Sequence, residues 1–268
     1  MNMNAEAPKL VKSVARTIDL LMLFVNCNKF LTLQEISSLM GMPKSSTFEL
    51  VNTMLYKGIL EYKSDDHKLY GLSILAYEIG SSVINRIGVN DIARPYLQEL
   101  NRITGGTVFI GIEDHGQIVY IGRAEDHSVV KACAKLGSRR NLNTTSLGKA
   151  ILYAHSNDEI LSLLGNEPYP TQTPLSKTSA VQILNDAQIS RRRGYAVDDR
   201  EDGPNMFCVG SAVRNHEGQA ICSISVASIY CLINEVKKKK EMIAEKVKEV
   251  ALEISRKLGF KGDRIYSE

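Results

Sequence analysis

The sequence comprises 268 residues, of which 44% are hydrophobic and 24% charged, with a formal net charge of +3. This balance is typical of a folded globular protein, and the length suits two domains. No segment reaches the roughly 18 apolar residues of a membrane helix, and the start MNMNAEAPKL lacks the apolar centre of a signal peptide. We therefore expect a cytoplasmic protein with no membrane partner. Five cysteines without C-x-x-C spacing argue against a zinc site or disulfide framework, so we expect no cofactor and no metal.

The first apolar pattern predicts an amphipathic helix whose apolar face is formed by Val14, Ile18, Leu21 and Val25. A second helix, LQEISSLM, follows a capping box, because Thr32 lies three residues before Glu35. Gly41 ends this helix in the left-handed conformation that glycine tolerates. Pro43 suits the first turn of a third helix, where its missing N–H has no cost.

The third helix starts at Lys44 and stops at Gly58. Residues 59–62 and 68–70 flank a polar tip and predict a β-hairpin. Two helices joined by a tight turn and followed by a hairpin form a winged helix-turn-helix, predicted over residues 11–72.

Helical spacing continues beyond this unit as far as Gly105-Gly106, where the apolar period changes. A linker helix is predicted over residues 73–90 and another helix over residues 91–104. Beyond these, strands are predicted at residues 107–112, 117–122, 129–134, 195–197, 206–213 and 219–227. Further helices are predicted at residues 146–155, 158–164 and 232–258, and another helix ends at Gly194. A loop is predicted at residues 137–143. Strands with helices on one face predict an α+β domain over residues 91–260, of the kind that senses ligands.

Four stretches resemble the IclR family of bacterial regulators. They are SVARTIDLL, LTLQEISSLMGMPKSSTFELVNTMLYKGIL, RRNLNTTSLGKAIL and RRRGYAVDDREDGPNMFCVGSAVRNHEGQAICSISVAS. They occur in the family's order and extend the resemblance from Val11 to Gly259. The resemblance implies a GAF-like effector-binding domain, a homodimer or a tetramer built as a dimer of dimers, and control of genes for small organic acids. We expect a repressor, although activators also occur in the family.

A recognition helix inserts its N-terminal end into the major groove of operator DNA. The candidates there are Lys44, Ser45, Ser46 and Thr47. Lysine can pair with phosphate or guanine, and hydroxyls can bond to the backbone or to base edges. Further candidates are Asn52 for a base or a phosphate, Lys68 for the minor groove or backbone, and Arg16 for phosphate. The alternative is a solvated helix face, because Lys-Ser-Ser-Thr alone is a weak motif.

Glu49 stands where the family often has arginine. A glutamate repels phosphate but accepts a hydrogen bond from cytosine N4, so either the operator differs or Glu49 points away from DNA. Residues 1–71 hold eight Lys/Arg and seven Asp/Glu, a net charge of +1. A domain this weakly basic needs a second copy for tight binding, which independently favours an oligomer.

The segment Thr144-Thr145-Ser146 precedes a predicted helix whose free N–H groups and positive dipole end favour a carboxylate. The alternative is an ordinary capped helix. The family resemblance implies that Asp198, Cys208 and Ser225 line the effector pocket. It implies that Ser146 and Leu147 bind the effector through their backbone N–H groups. Because a carboxylate repels an anion, we expect Asp198 to contact a hydroxyl or hydrated carbonyl of the ligand. Ser225 would donate through its hydroxyl, and Cys208 would form a weakly polar wall.

Three departures from the family pattern leave the effector's identity open. Asn143 replaces a common histidine, and Ala227 replaces a pocket serine of some members. Asn205 stands where glycine usually follows Pro204, and asparagine is the other residue at ease in the left-handed region.

Two further classes of function compete with a regulator. One is an enzyme with Cys208 as nucleophile, for which Asp198, Asp199 and His216 are the evident partners. The other is a DNA-binding protein that has lost ligand sensing. The basic runs at 191–193 and 237–240 are interpreted as a helix last turn and a solvated helix face.

Overall fold

The computed structural model describes residues 10–27, 29–63, 66–125, 134–230 and 237–266. Contacts divide the chain into two units, one ending at Arg86 and the other beginning at Ile87. Among the described residues, no helix is both long and apolar enough to span a membrane. The predicted α+β class, with a winged helix-turn-helix before a larger sheet-containing domain, is confirmed.

The N-terminal unit contains the predicted helices and wing, and its strands pair antiparallel in the order β1-β3-β2. Its elements are α1 (Lys12–Cys27), β1 (Leu31–Thr32), α2 (Leu33–Met40), α3 (Lys44–Tyr56), β2 (Leu60–Lys63), β3 (Asp66–Leu72) and α4 (Ile74–Ile87). The predicted capping box begins α2: the Thr32 hydroxyl accepts from the Glu35 N–H at 3.2 Å, and the Glu35 carboxylate accepts from the Thr32 N–H at 2.8 Å. Gly41 ends α2 in the left-handed region, at φ 61°.

Helix α1 forms as predicted, but its buried side is not the predicted one. Leu20 and Phe24 are the buried residues of this helix and join the domain core. Val14, Ile18 and Val25 are more than half exposed, at 56%, 55% and 54%. The spacing of apolar residues predicted the helix correctly, but α1 carries apolar residues on two sides.

In the part of the chain that the structure describes, the C-terminal unit is built on a six-stranded antiparallel sheet with strand order β6-β5-β4-β9-β8-β7. Its elements are α5 (Val89–Thr104), β4 (Thr107–Asp114), β5 (Gln117–Ala124), β6 (Arg139–Asn141), α6 (Ser146–Leu152), α7 (Asn157–Leu164), α8 (Ala180–Arg193), β7 (Ala196–Asp199), β8 (Met206–Arg214), β9 (Ala220–Ile229) and α9 (Lys237–Lys257).

Alternation along the strands separates two apolar clusters on the two faces of the sheet. On β8, Val209 and Val213 pack in the cluster that contains the buried faces of α5 and α9. Cys208 and Ala212 point the other way, into the cluster formed with α6, α7 and α8. The sheet is therefore covered by helices on both faces, and its α6 face holds the candidate site.

Several predicted boundaries are wrong in detail. The predicted linker helix is broken at Gly88, which has φ 66°, so that α5 begins at Val89. Residues 139–141, predicted as loop, form β6 because they pair with β5. The helix predicted over residues 146–155 already ends at Leu152. Residues 129–133 of the strand predicted at 129–134, and the first residues of the helix predicted at 232–258, lie outside the described residues.

Candidate functional site

The exposed side of α3 carries most of the residues predicted to contact DNA. Lys44 and Ser45 are exposed at its first turn, while Ser46 and Asn52 are half-buried. Thr47 is 1% exposed, and its hydroxyl donates to the Pro43 carbonyl at 3.0 Å. Thr47 therefore faces the interior of the domain, and we leave it out of the proposed DNA contacts.

The two remaining candidates lie on other elements of the N-terminal unit. Arg16 is exposed on α1, and Lys68 is exposed on β3, the second strand of the wing.

A cavity of about 110 Å³ opens on the α6 face of the C-terminal sheet. Four of the five predicted effector-binding residues line it: Ser146, Asp198, Cys208 and Ser225. Leu147 is not among the lining residues; it is buried, and its carbonyl accepts from the Ser223 hydroxyl at 2.9 Å. The other lining residues are Phe109, Tyr120, Ala134, Arg140, Thr145, Asp202, Met206 and Ala227.

Strand register brings these distant residues together. Cys208 on β8 is paired with Asp198 on β7 and with Ala227 on β9. Ser225 on β9 is paired with Phe109 on β4. Because paired residues on neighbouring strands point to the same face, the pairs form one continuous floor for the cavity.

The first turn of α6 closes the cavity above this floor. The side chain of Thr145 caps the helix by accepting from the Gly148 N–H at 3.0 Å. Gly210 on β8 allows the close approach, because a Cβ atom there would lie 2.5 Å from the Ser146 carbonyl oxygen.

Asp198 is the most unusual charge in the site. Its Oδ1 accepts from the N–H groups of Glu201 at 2.7 Å and Asp202 at 3.2 Å, which favours the ionised carboxylate. Burial acts in the opposite direction and prevails, raising the pKa of Asp198 to about 7. The carboxyl is therefore partly protonated near neutral pH and can donate a hydrogen bond to a ligand oxygen.

Cys208 lies beside Asp198 as a thiol. Burial, and then the negative charge of Asp198, raise the pKa of Cys208 well above its usual range. A nucleophilic cysteine requires the opposite shift, toward the thiolate. This environment suits a cavity wall and disfavours a Cys208 nucleophile.

Sequence reasoning missed the aromatic and charged parts of the lining. Phe109 and Tyr120 pack edge to face with ring centres 5.2 Å apart. The Nε of Arg140 lies 3.9 Å from Oδ2 of Asp202, whose Oδ1 accepts from the Thr144 hydroxyl at 2.7 Å. Arg140 and Asp202 lie within two of the family-like stretches, but only the pairing of β6 with β5 and the fold of the loop after β7 bring them to the cavity.

A buried network of charges adjoins Asp198. Lys149 on α6 is fully buried, and its Nζ lies 2.5 Å from Oε1 of Glu201 and 3.0 Å from Oδ2 of Asp186. Lys177 contacts the same Glu201 oxygen at 2.6 Å, and the Tyr153 hydroxyl donates to Asp186 at 2.8 Å. Because the Glu201 N–H binds Asp198, this network holds in place the loop after β7, whose N–H groups bind Asp198.

The three departures from the family pattern have distinct structural outcomes. Asn143 is fully buried, and its Nδ2 donates to the carbonyls of Pro170 at 2.8 Å and Lys177 at 2.9 Å. These bonds tether the loop between α7 and α8 to the segment that precedes α6. Asn205 does not adopt the left-handed conformation that its position suggested; Arg200 does, at φ 62°. Ala227 lines the cavity and leaves that part of its wall apolar.

No group of three or more His, Cys, Asp or Glu side chains within the described ranges is arranged to hold a metal ion.

Both units match known protein families. Residues 13–64 match the IclR helix-turn-helix domain, and residues 81–256 match the family described as bacterial transcriptional regulator IclR C-terminal. The chain belongs to the IclR family. IclR regulators combine the helix-turn-helix and the ligand-binding domain that carry the two sites described above.

Relatives agree with this assignment over almost the whole chain. The HTH-type transcriptional regulator XynR of Escherichia coli K12 is 29% identical over 251 residues, covering 94% of this chain and 98% of XynR. The HTH-type transcriptional repressor AllR of Salmonella typhi is 27% identical over 255 residues, covering 95% of this chain and 93% of AllR. These relatives are named as regulators, and the chain is a transcriptional regulator, not an enzyme.

Solved IclR structures share the fold. The Thermotoga maritima IclR superposes with a TM-score of 0.80 at 28% identity and covers 94% of this chain and 100% of its own. An IclR homolog from Microbacterium hydrocarbonoxydans, complexed with 4-hydroxybenzoate, superposes with a TM-score of 0.77 at 21% identity. The match covers 92% of this chain and 98% of the homolog.

Proposed function

We propose that this IclR-family protein is a cytoplasmic repressor whose hold on operator DNA is altered by a small organic acid bound in the C-terminal cavity. The observation that carries the proposal is the convergence of Ser146, Asp198, Cys208 and Ser225 on one cavity of about 110 Å³. Ligand pockets combine apolar walls with a few polar groups that fix orientation. The repressor assignment is supported by the AllR relatives.

The chemistry of the lining supports an acid as effector. Arg140 supplies a cation for a carboxylate, and the hydroxyl of Ser225 supplies a donor. Asp198, with its pKa raised to about 7, can present a proton to a ligand oxygen instead of repelling it. The homolog complexed with 4-hydroxybenzoate, itself a small acid, supports the same class of ligand.

We propose a winged helix-turn-helix at residues 11–72, a linker within residues 73–90 whose helix is α4 and ends at Ile87, and an effector domain at residues 91–260. The proposed contacts come from the first turns of α3, with the wing and α1 reaching the backbone: Lys44, Ser45, Ser46, Asn52, Lys68 and Arg16. The N-terminal net charge of only +1 supports binding by a homodimer or a dimer of dimers, because two linked half-site contacts strengthen each other.

The function is tested in two steps with the full-length protein. Fragments of the organism's own genomic DNA are selected by the protein at near-physiological salt, and we expect a few promoter sites to be enriched. Small acids suggested by the neighbouring genes are then tested for their effect on the affinity of those sites and on the melting temperature. A ligand at 100 times its dissociation constant adds about 2.7 kcal/mol to the free energy of unfolding.

Matched variants tie the ligand effect to the cavity. Ser225→Ala removes a donor from the cavity and is expected to weaken the response to the acid, while Ser228→Ala, on the same strand but not in the lining, is expected to keep it. Promoter binding without a response to any acid would support the alternative of a regulator that has lost ligand sensing. Sequence-blind, salt-sensitive binding alone would contradict the operator assignment.

A further inference from the structure

The exposed side of α3 carries an aromatic ring where the helix is expected to enter DNA. Its outward residues follow helical spacing: Ser45, Phe48, Glu49 and Asn52. Phe48 is 48% exposed, whereas Thr47, Val51 and Met54 are the buried residues of this helix. Phe48 is neither in the described core of the N-terminal unit nor among the apolar residues packed against it.

Burial of apolar surface is what stabilises a core, so the exposed half of the Phe48 side chain adds nothing to the stability of the N-terminal unit. Its position does suit DNA. A recognition helix enters the major groove by its N-terminal end, and Phe48 lies one turn after the first residues of α3. In that groove each thymine presents an apolar group, the C5 methyl, with which a phenylalanine ring makes favourable contact.

Glu49, the residue after Phe48, indicates which part of the DNA this side of α3 contacts. Glu49 is exposed beside Phe48, and a carboxylate that approached the phosphate backbone would be repelled. The same carboxylate accepts a hydrogen bond from the N4 amino group of cytosine. Phe48 and Glu49 together therefore suit base edges better than phosphates.

We propose that Phe48 is a specificity-determining residue that reads the C5 methyl group of a thymine in the operator, next to the base contacted by Glu49. The inference rests on the proposed operator binding and deepens it, because it assigns sequence selectivity to a side chain that carries no polar group.

The test removes the methyl group from DNA and leaves everything else in place. A preferred half-site is first selected from random duplexes with the full-length protein. Each thymine of that site is then replaced singly by deoxyuridine, which pairs identically but lacks the C5 methyl. We expect one thymine in each half-site at which this replacement weakens binding about fourfold, the effect of exposing one buried methyl group.

Variants connect this methyl group to Phe48. Phe48→Ala is expected to weaken binding and to make the protein insensitive to deoxyuridine at that thymine. Phe48→Leu, which keeps an apolar contact, is expected to retain the sensitivity. Tyr56→Ala changes another exposed aromatic residue, at the last position of α3 and 88% exposed, and is expected to leave the deoxyuridine pattern unchanged. Melting temperatures equal to that of the unsubstituted protein verify that these exposed positions do not affect folding.

The outcomes separate this inference from the proposed function. If a preferred site is selected but deoxyuridine has no effect at any thymine, the Phe48 inference is overturned and operator binding stands. Undiminished deoxyuridine sensitivity in Phe48→Ala overturns it as well. If no preferred site can be selected, the proposed operator binding fails, and the reading of thymine fails with it.

Discussion

At the scale of single residues, the protonation of Asp198 makes both the stability of the protein and effector binding depend on pH. Burial raises its pKa from the usual 3.8 to about 7, so the folded chain keeps a proton that the unfolded chain releases between about pH 4 and pH 7. The free energy of unfolding that Asp198 contributes is therefore largest at low pH and falls as pH rises through this window. An acid effector should also bind more weakly above pH 7, where the Asp198 carboxylate is ionised and repels it.

Asp198→Asn is expected to remove this part of the pH dependence, because the amide does not titrate. Urea unfolding between pH 4.5 and 8 measures the free energy at each pH. Asp199→Asn is the matched control: Asp199 is the next residue along β7, and its Oδ1 binds Arg200 outside the cavity lining. An unchanged slope in Asp198→Asn would show that Asp198 ionises normally in the folded protein.

Lys149 offers a second test at this scale. Its burial lowers the pKa of its ammonium group, while Asp186 and Glu201 act to raise it. Lys149→Met leaves Glu201 and Asp186 with Lys177 as their remaining cation, and we expect the free energy of unfolding to fall by about 3 kcal/mol. Adding Glu201→Gln to Lys149→Met should recover part of that loss; no recovery would argue that packing, not charge, holds Lys149 in place.

At the scale of elements, the contact of α6 with β8 determines the shape of the cavity. Gly210→Ala places a methyl group 2.5 Å from the Ser146 carbonyl oxygen, a distance that backbone atoms cannot accommodate without moving α6. We expect a lower melting temperature and loss of the effector response. Gly80→Ala in α4 is expected to be neutral or slightly stabilising, because no described atom lies within 4 Å of the Cβ that alanine adds.

The exposed apolar side of α1 is one candidate surface for contact with a second copy of the chain. Val14, Ile18, Met22 and Val25 are each more than half exposed and share one side of the helix. If this side supports the proposed oligomer, Ile18→Glu should lower the mass measured by sedimentation velocity and weaken operator binding. Asp19→Lys, one residue away at an exposed position off this stripe, should not; equal masses for both variants would exclude this side of α1 from the interface.

Elements were easier to predict from the sequence than the faces they bury. The capping box of Thr32 and Glu35 is local, so both the start of α2 and its hydrogen bonds could be predicted. The buried side of α1 could not, because apolar residues occupy two sides of that helix and only tertiary packing chooses between them. Likewise Arg140 reaches the cavity through pairing of β6 with β5, a contact between segments that no local pattern encodes. Cys208 and Asp198 were found through the family resemblance.

At the scale of the whole molecule, the net charge of +1 on the N-terminal region makes affinity for DNA sensitive to single charges. Glu49→Arg is expected to raise nonspecific affinity and to steepen the dependence of log K on log salt by about 0.9 for each additional phosphate that the protein neutralises. Glu49→Gln removes the negative charge without adding a cation and provides the control. An unchanged slope in Glu49→Arg would show that this position does not reach a phosphate.

The order of strands in the C-terminal sheet has a consequence for aggregation at high concentration. The two strands at the ends of the described sheet, β6 and β7, have only three and four residues, whereas the four between them have eight to ten. Short edge strands offer few unpaired backbone groups to a strand from another molecule. Within the described residues, β6 and β7 are therefore poor templates for a strand from another molecule, which lowers the tendency of the chain to aggregate through backbone pairing at these two strands.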